Sequence, residues 1–180
     1  MVHLGTLAIP VGYAFTGPMT VVYVVLPLFL CLLLVDLLRH IHPGMASLFQ
    51  RHFFGKVLRE EEKPTFMGST YFLFSTLLSV LFFPKPVAIA SLLILILSDT
   101  AAALVGKGIG KTPLFGKTLE GSSAFLLTSL LIVWCYPGLD RCSGMLAAIG
   151  ATLIELLPIR LNDNLTIPLT AGVIMVFGRI

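Results

Sequence analysis

Apolar residues fall into seven blocks along this chain, at about 4–16, 20–38, 67–83, 86–105, 120–136, 143–158 and 165–178. A helix that crosses a bilayer uses roughly 17–25 predominantly apolar residues. The first and last blocks are short for that, so they are expected to tilt little, thin the bilayer or be partly re-entrant. Breaks fall at TGPMT (16–20), PKP (84–86), PGLDR (137–141) and PIRLNDN (158–164). Their prolines, glycines and asparagines are turn signals. The pattern predicts an all-α fold: a polytopic membrane helical bundle of about seven transmembrane segments, one domain over residues 1–180. No internal repeat and no low-complexity tract is evident.

One connection is long. Residues 39–66 carry Leu48, Phe49, Phe53, Val57 and Leu58 at helical spacing, with basic residues between them. This predicts an interfacial amphipathic helix on the cytoplasmic side. A surface helix that merely joins two spans fits the same spacing.

Composition agrees with a membrane setting. The chain is 57% hydrophobic and 12% charged, against roughly 25% charged in a soluble domain, and its mean hydropathy is +0.98. A net charge of +3 is too small to argue for nucleic acid. Placement of the basic residues says more. Arg39, Arg51, Lys56, Arg59, Lys63, Lys107, Lys111, Lys117 and Arg160 fall on one side of the predicted bundle, and Lys85, Arg141 and Arg179 on the other. That bias predicts the first side to be cytoplasmic, with the N-terminus inside and the C-terminus outside. Cys31, Cys135 and Cys142 form no disulfide framework. They are expected as buried thiols, unless Cys135 and Cys142 pair near one membrane face. The first apolar block lacks a basic leader and a clear cleavage site, so no cleavable signal peptide is expected.

The candidate chemistry concentrates in DTAAALVGKGIGKTPLFGKTLEGS, Asp99 to Ser122. Asp99 is an ionisable residue inside an apolar block, which by default marks a functional site. Ala102, Ala103 and Gly106 follow at helical spacing, so the carboxylate and small residues share a face. Asp99 is a Mg²⁺ ligand or catalytic base on this reading; a carboxylate satisfied by a neighbouring hydroxyl or cation is the alternative. Gly106, Lys107, Gly108, Gly110 and Lys111 supply glycine flexibility and positive charge, which a phosphate-bearing ligand needs. The segment is not a Walker loop, because the motif's first glycine would fall at Val105 and no strand precedes it. An ordinary basic loop remains the plain alternative.

Lys117, Thr118, Glu120 and Gly121 open the fifth block. Thr118 fits an N-cap, and a helix N-terminus with a lysine beside it favours an anion. Glu120 either holds a divalent cation or complements the helix dipole. Near the end, Asn162, Asp163 and Asn164 are oxygen donors suited to Mg²⁺ or a turn with a cap. Asp99, Glu120 and Asp163 therefore form the candidate catalytic and metal-binding set. Carboxylates that hold Mg²⁺, with lysines on phosphate oxygens, are what phosphoryl transfer requires. Asp36 and Arg39, one turn apart, read as a local ion pair. Glu155 snorkels, pairs with Arg160 or lines the cavity.

HLGTLAIPVGY, LREEEKPTFMGSTYFLF, SDTAAALVGKGIGK, KTLEGSSAF and DNLTIPL together resemble the dolichol kinase, phytol kinase and CTP-dependent diacylglycerol kinase family, in that family's order and over most of the chain. The resemblance implies an integral membrane kinase with its active site facing the cytoplasm. It would move the γ-phosphate of CTP to the hydroxyl of a polyprenol, diacylglycerol or phytol, with Mg²⁺. Lys111 and Lys117 would bind phosphates, and Gly106, Gly108 and Gly110 would permit close nucleotide approach. Lys107, Thr118, Gly121 and Asn164 complete the nucleotide-binding candidates, and a homodimer is compatible. Phosphatidate cytidylyltransferases share a similar K-T-x-E-G stretch, CTP and Mg²⁺, but this chain lacks their H-G-G-x-x-D-R-x-D signature. A non-enzymatic transporter or scaffold is the third reading.

Overall fold

The computed structural model describes residues 3–41, 65–158 and 161–178. The amphipathic segment around Leu48 to Leu58, and Arg160, lie outside the described residues. The first apolar block forms two short helices, α1 (His3–Thr6) and α2 (Ala8–Phe15), followed by α3 (Pro18–Ile41) and α4 (Gly68–Phe82). A single long helix then combines α5 (Lys85–Leu93), a π-helical segment (Ile94–Ser98) and α6 (Asp99–Ile109). Two short strands follow, β1 (Pro113–Leu114) and β2 (Lys117–Thr118), then α7 (Leu119–Cys135), α8 (Arg141–Leu156) and α9 (Asp163–Phe177).

The expected turns do end these helices. Thr118, Asp140 and Asn162 each accept a backbone N–H from the first turn of the helix they precede, which satisfies donors the helix itself leaves orphaned. Pro84 stands just before α5, where its fixed φ does no harm.

Among the described residues, two helices can cross a membrane by length and composition: α3 with 24 residues and Lys85–Ile109 with 25. Helices α4, α7 and α9 are apolar but have only 15, 17 and 15 residues. At about 1.5 Å per residue they reach roughly 22–26 Å, short of a ~30 Å hydrocarbon core. The observed architecture is therefore a mostly helical bundle with two spans identified, not a demonstrated set of seven.

The long helix is the core. Val87, Ala88, Ile89, Ala90, Leu92, Ile94, Leu95 and Ile96 are all 2% exposed or less. Helix α9 packs on α8, α4 and α5, and α7 packs along α6. Close approach is paid for in side-chain volume: a Cβ on Gly172 would sit 2.1 Å from the Phe83 ring. Helix α3 is peripheral, packing mainly on α4. Its buried residues are Val21, Val25 and Asp36, while Tyr23, Leu26, Leu30 and Leu34 face outward. An apolar outward face suits lipid. Cys31, Cys135 and Cys142 are free and exposed rather than buried, because each falls on an outward face of its helix.

Candidate functional site

Asp99 opens α6 directly after the π segment. Such one-turn widenings in an α-helix frequently occur at functional sites. Here the widened turn directs Ser98 inward, where Ser129 Oγ from α7 donates to its Oγ at 2.9 Å. Asp99 faces a cavity of about 380 Å³, together with Ala102, Gly106 and Lys107 from the following turns.

The glycines act on the protein itself. A Cβ on Gly106 would lie 2.8 Å from Thr118 Oγ1, and one on Gly121 2.9 Å from the same atom and 3.0 Å from the Ala102 carbonyl. A Cβ on Gly110 would fall 2.3 Å from the Gly106 carbonyl. These positions let α6 and the start of α7 touch, as small residues do between membrane helices. Of the three glycines at 106, 108 and 110, Gly108 has open space around its would-be Cβ.

A tight hairpin brings the chain back. Pro113 pairs with Thr118 and Leu114 with Lys117, leaving Phe115 (φ 50°) and Gly116 (φ 84°) as the loop. Positive φ at both positions is the type I′ geometry, whose twist matches the flanking strands. The hairpin delivers Lys117 to the cavity. Lys117 Nζ lies 3.0 Å from Glu155 Oε1 and 3.0 Å from Asp163 Oδ2, and it also donates to the Glu155 carbonyl. Glu155 is 4% exposed and accepts from Ser122 Oγ at 3.0 Å. Burial alone lowers the pKa of the Lys117 ammonium, but Asp163 and Glu155 outweigh it and hold the group above the ordinary lysine value.

Seven of the residues singled out in the sequence line this one cavity: Asp99, Gly106, Lys107, Lys117, Thr118, Gly121 and Asp163. Five do not. Gly108, Gly110 and Lys111 are absent from its lining. Glu120 turns to the loop instead, where both its oxygens accept the Thr112 N–H at 3.2 Å and one accepts Thr112 Oγ1 at 3.1 Å. Asn164 donates from Nδ2 to the Gly68 carbonyl at 3.1 Å, bracing α9 against α4. Gly116 and Ser122 line the cavity without an assignment from the sequence, and Glu155 takes the cavity-lining alternative among the three read for it. The rule that marked Asp99, an ionisable side chain within an apolar block, marks Glu155 equally well.

Asp99, Glu120 and Asp163 are not gathered into one centre. Among the described residues no group of three or more histidine, cysteine, aspartate or glutamate side chains is placed to hold a metal ion by itself. Asp99 and Asp163 do share the cavity, and two carboxylates completed by substrate phosphates are what Mg²⁺ usually takes.

No family model and no solved structure matches the chain. It is 33% identical to an uncharacterized protein of Rickettsia prowazekii over 178 residues, covering 93% of this chain and 87% of that one. It is 34% identical over 113 residues to CTP-dependent diacylglycerol kinase 1 of Saccharomyces cerevisiae, covering 61% of this chain and 39% of the yeast protein. The Schizosaccharomyces pombe protein of the same name is 29% identical over 159 residues, with 78% and 72% covered. The chain belongs to the same family as the Rickettsia prowazekii protein, and its similarity to the two yeast proteins supports the CTP-dependent diacylglycerol kinases as its functional relatives, without pointing to dolichol or phytol kinases in particular.

Proposed function

We propose that this chain is a CTP-dependent lipid kinase, with diacylglycerol as its first candidate acceptor. The observation that carries the reading is the cavity at Lys117, where a carboxylate from an apolar helix, Asp99, meets Asp163, Glu155 and Lys107. The yeast relatives' names supply the donor and the acceptor class; the cavity supplies groups able to handle them.

Lys117 is held between two carboxylates. It exchanges part of that pairing for phosphate oxygens when the nucleotide enters, and Lys107 at the cavity edge takes another. Asp99 and Asp163 would hold Mg²⁺, which would supply positive charge to offset that of the phosphates. Asp99, on the helix that leads into the apolar core, accepts a hydrogen bond from the acceptor hydroxyl and aims its oxygen at the γ-phosphorus. The bond between the γ-phosphorus and the β,γ-bridging oxygen breaks as the new P–O bond forms. The hydroxyl proton passes to the carboxylate, and CDP leaves.

Purified protein supplied with Mg²⁺, CTP and a panel of diacylglycerol, polyprenol and phytol tests this reading. The expected result is CDP and phosphatidate in equal amounts. Phosphorylation of polyprenol or phytol alone would keep the kinase and change its acceptor. Pyrophosphate release with phosphatidate as acceptor, and no CDP with any alcohol, would overturn it in favour of a cytidylyltransferase.

A further inference from the structure

Outside the cavity, one charged side chain among the described residues is completely enclosed. Asp36 is 0% exposed on α3, a helix that otherwise buries only Val21 and Val25. Its Oδ1 accepts Arg39 Nη2 at 2.9 Å, and its Oδ2 accepts the Met67 N–H at 3.0 Å and Thr70 Oγ1 at 2.7 Å. Arg39 also donates to the Thr65 carbonyl at 2.5 Å. Its Nε and Nη1 are buried without a hydrogen-bond partner among the described residues.

The contacts go beyond a local ion pair. Met67 is the N-cap of α4 and has no side chain able to cap it. A helix start needs an acceptor for its orphan N–H groups, and a negative charge there is favourable. Asp36 supplies both from a neighbouring helix. The next residue, Gly68, presents its carbonyl to Asn164 Nδ2, and Ser75 Oγ of α4 donates to the Asn164 carbonyl at 2.8 Å. Asn164 is thus gripped by α4 on two sides, and its chain neighbour Asp163 holds Lys117.

We infer that Asp36 is a positioning residue for the site: by capping α4 from α3 it fixes the grip of α4 on Asn164, and through Asn164 it sets Asp163 against Lys117. The inference rests on reading the cavity as catalytic only for its effect on rate. Its geometric content stands apart from that reading.

The test compares full-length wild type with Asp36→Asn in detergent, following amide hydrogen exchange segment by segment by mass spectrometry. If Asp36 sets Asp163, Asp36→Asn speeds exchange at the first turns of α4 and α9 by about threefold or more. The first turn of α8, which Asp140 caps apart from these contacts, serves as the control and keeps its rate. A folded Asp36→Asn protein with unchanged exchange at the start of α9 would overturn the inference, as would an equal increase at the start of α8. Should Asp36→Asn fail to fold, Thr70→Val removes one of the three bonds, and a smaller increase at the start of α9 is required of it. On activity, Asp36→Asn lowers kcat by about tenfold, and its loss does not multiply with that of Asn164→Ala, because both act through one chain of contacts. Multiplying losses would contradict the proposal. A wild type without kinase activity would defeat the functional reading while leaving the exchange result to decide the role of Asp36.

Discussion

Lys117 shows how much a single side chain's position decides. Its ammonium is about one-third exposed, yet it neutralises Glu155, which is almost fully enclosed. Lys117→Met leaves that carboxylate buried and unpaired. Breaking a buried pair from one side costs roughly 3–5 kcal/mol, and the exposure of this lysine reduces the figure to about 2–3 kcal/mol. Because the folded state raises the pKa of Lys117, its contribution is complete below the unfolded value of about 10.4 and is lost as pH rises through the higher folded value. The gap in thermal midpoint between wild type and Lys117→Met should accordingly be flat from about pH 6 to 9 and close only in strong alkali. Phe115 is a second case. A bulky residue at φ 50° is strained, and Phe115→Gly should raise thermal stability by about 1 kcal/mol. At Asp99, Asp99→Asn should lower kcat by about a hundredfold or more while CTP binding persists. Turnover within a few-fold of wild type would remove Asp99 from the chemistry. Asp99 was legible in the sequence because an apolar block offers a carboxylate no solvation. Glu155 obeyed the same rule, but its partner comes from a hairpin 38 residues away, which periodicity does not reveal.

At the scale of elements, hydrophobic blocks translated into helices with ends shifted by a few residues: 67–83 became Gly68–Phe82 and 120–136 became Leu119–Cys135. The π segment and the hairpin were not legible. A π turn leaves the apolar run unchanged, and the hairpin places φ 50° on a phenylalanine, a residue that does not announce a type I′ turn. The glycines at 106, 108 and 110 were read as room for a nucleotide, with close helix packing as the alternative at Gly106; Gly106 and Gly121 line the cavity and also make room for Thr118 between α6 and α7. Their different surroundings separate the two roles. Gly106→Val should destabilise by about 1–3 kcal/mol through overpacking of the α6–α7 crossing. Gly108→Ala, facing open space in the same helix, should stabilise by up to about 1 kcal/mol. Thermal unfolding of the two variants in one detergent provides the comparison. Equal losses would mean that the crossing is not what the glycines serve.

Across the described residues, the site lies where the long central helix, the hairpin, α8 and α9 converge, and α3 connects to it through Asp36 and α4. The basic residues near the cavity, Lys107 and Lys117, belong to the side predicted to be cytoplasmic. That orientation predicts that, once the native cysteines are removed, a membrane-impermeant thiol reagent labels Lys111→Cys in inverted vesicles and not in right-side-out ones. A phosphate donor made in the cytoplasm and an acceptor dissolved in the bilayer can meet at such a position. The central claim is that the γ-phosphate of CTP moves to a lipid hydroxyl at this cavity. The most direct test supplies diacylglycerol with CTP labelled at either the α or the γ phosphate and follows the lipid. The account predicts label in the lipid from the γ position alone, abolished by Asp99→Asn. Label from the α position, or γ label undiminished in Asp99→Asn, would contradict it.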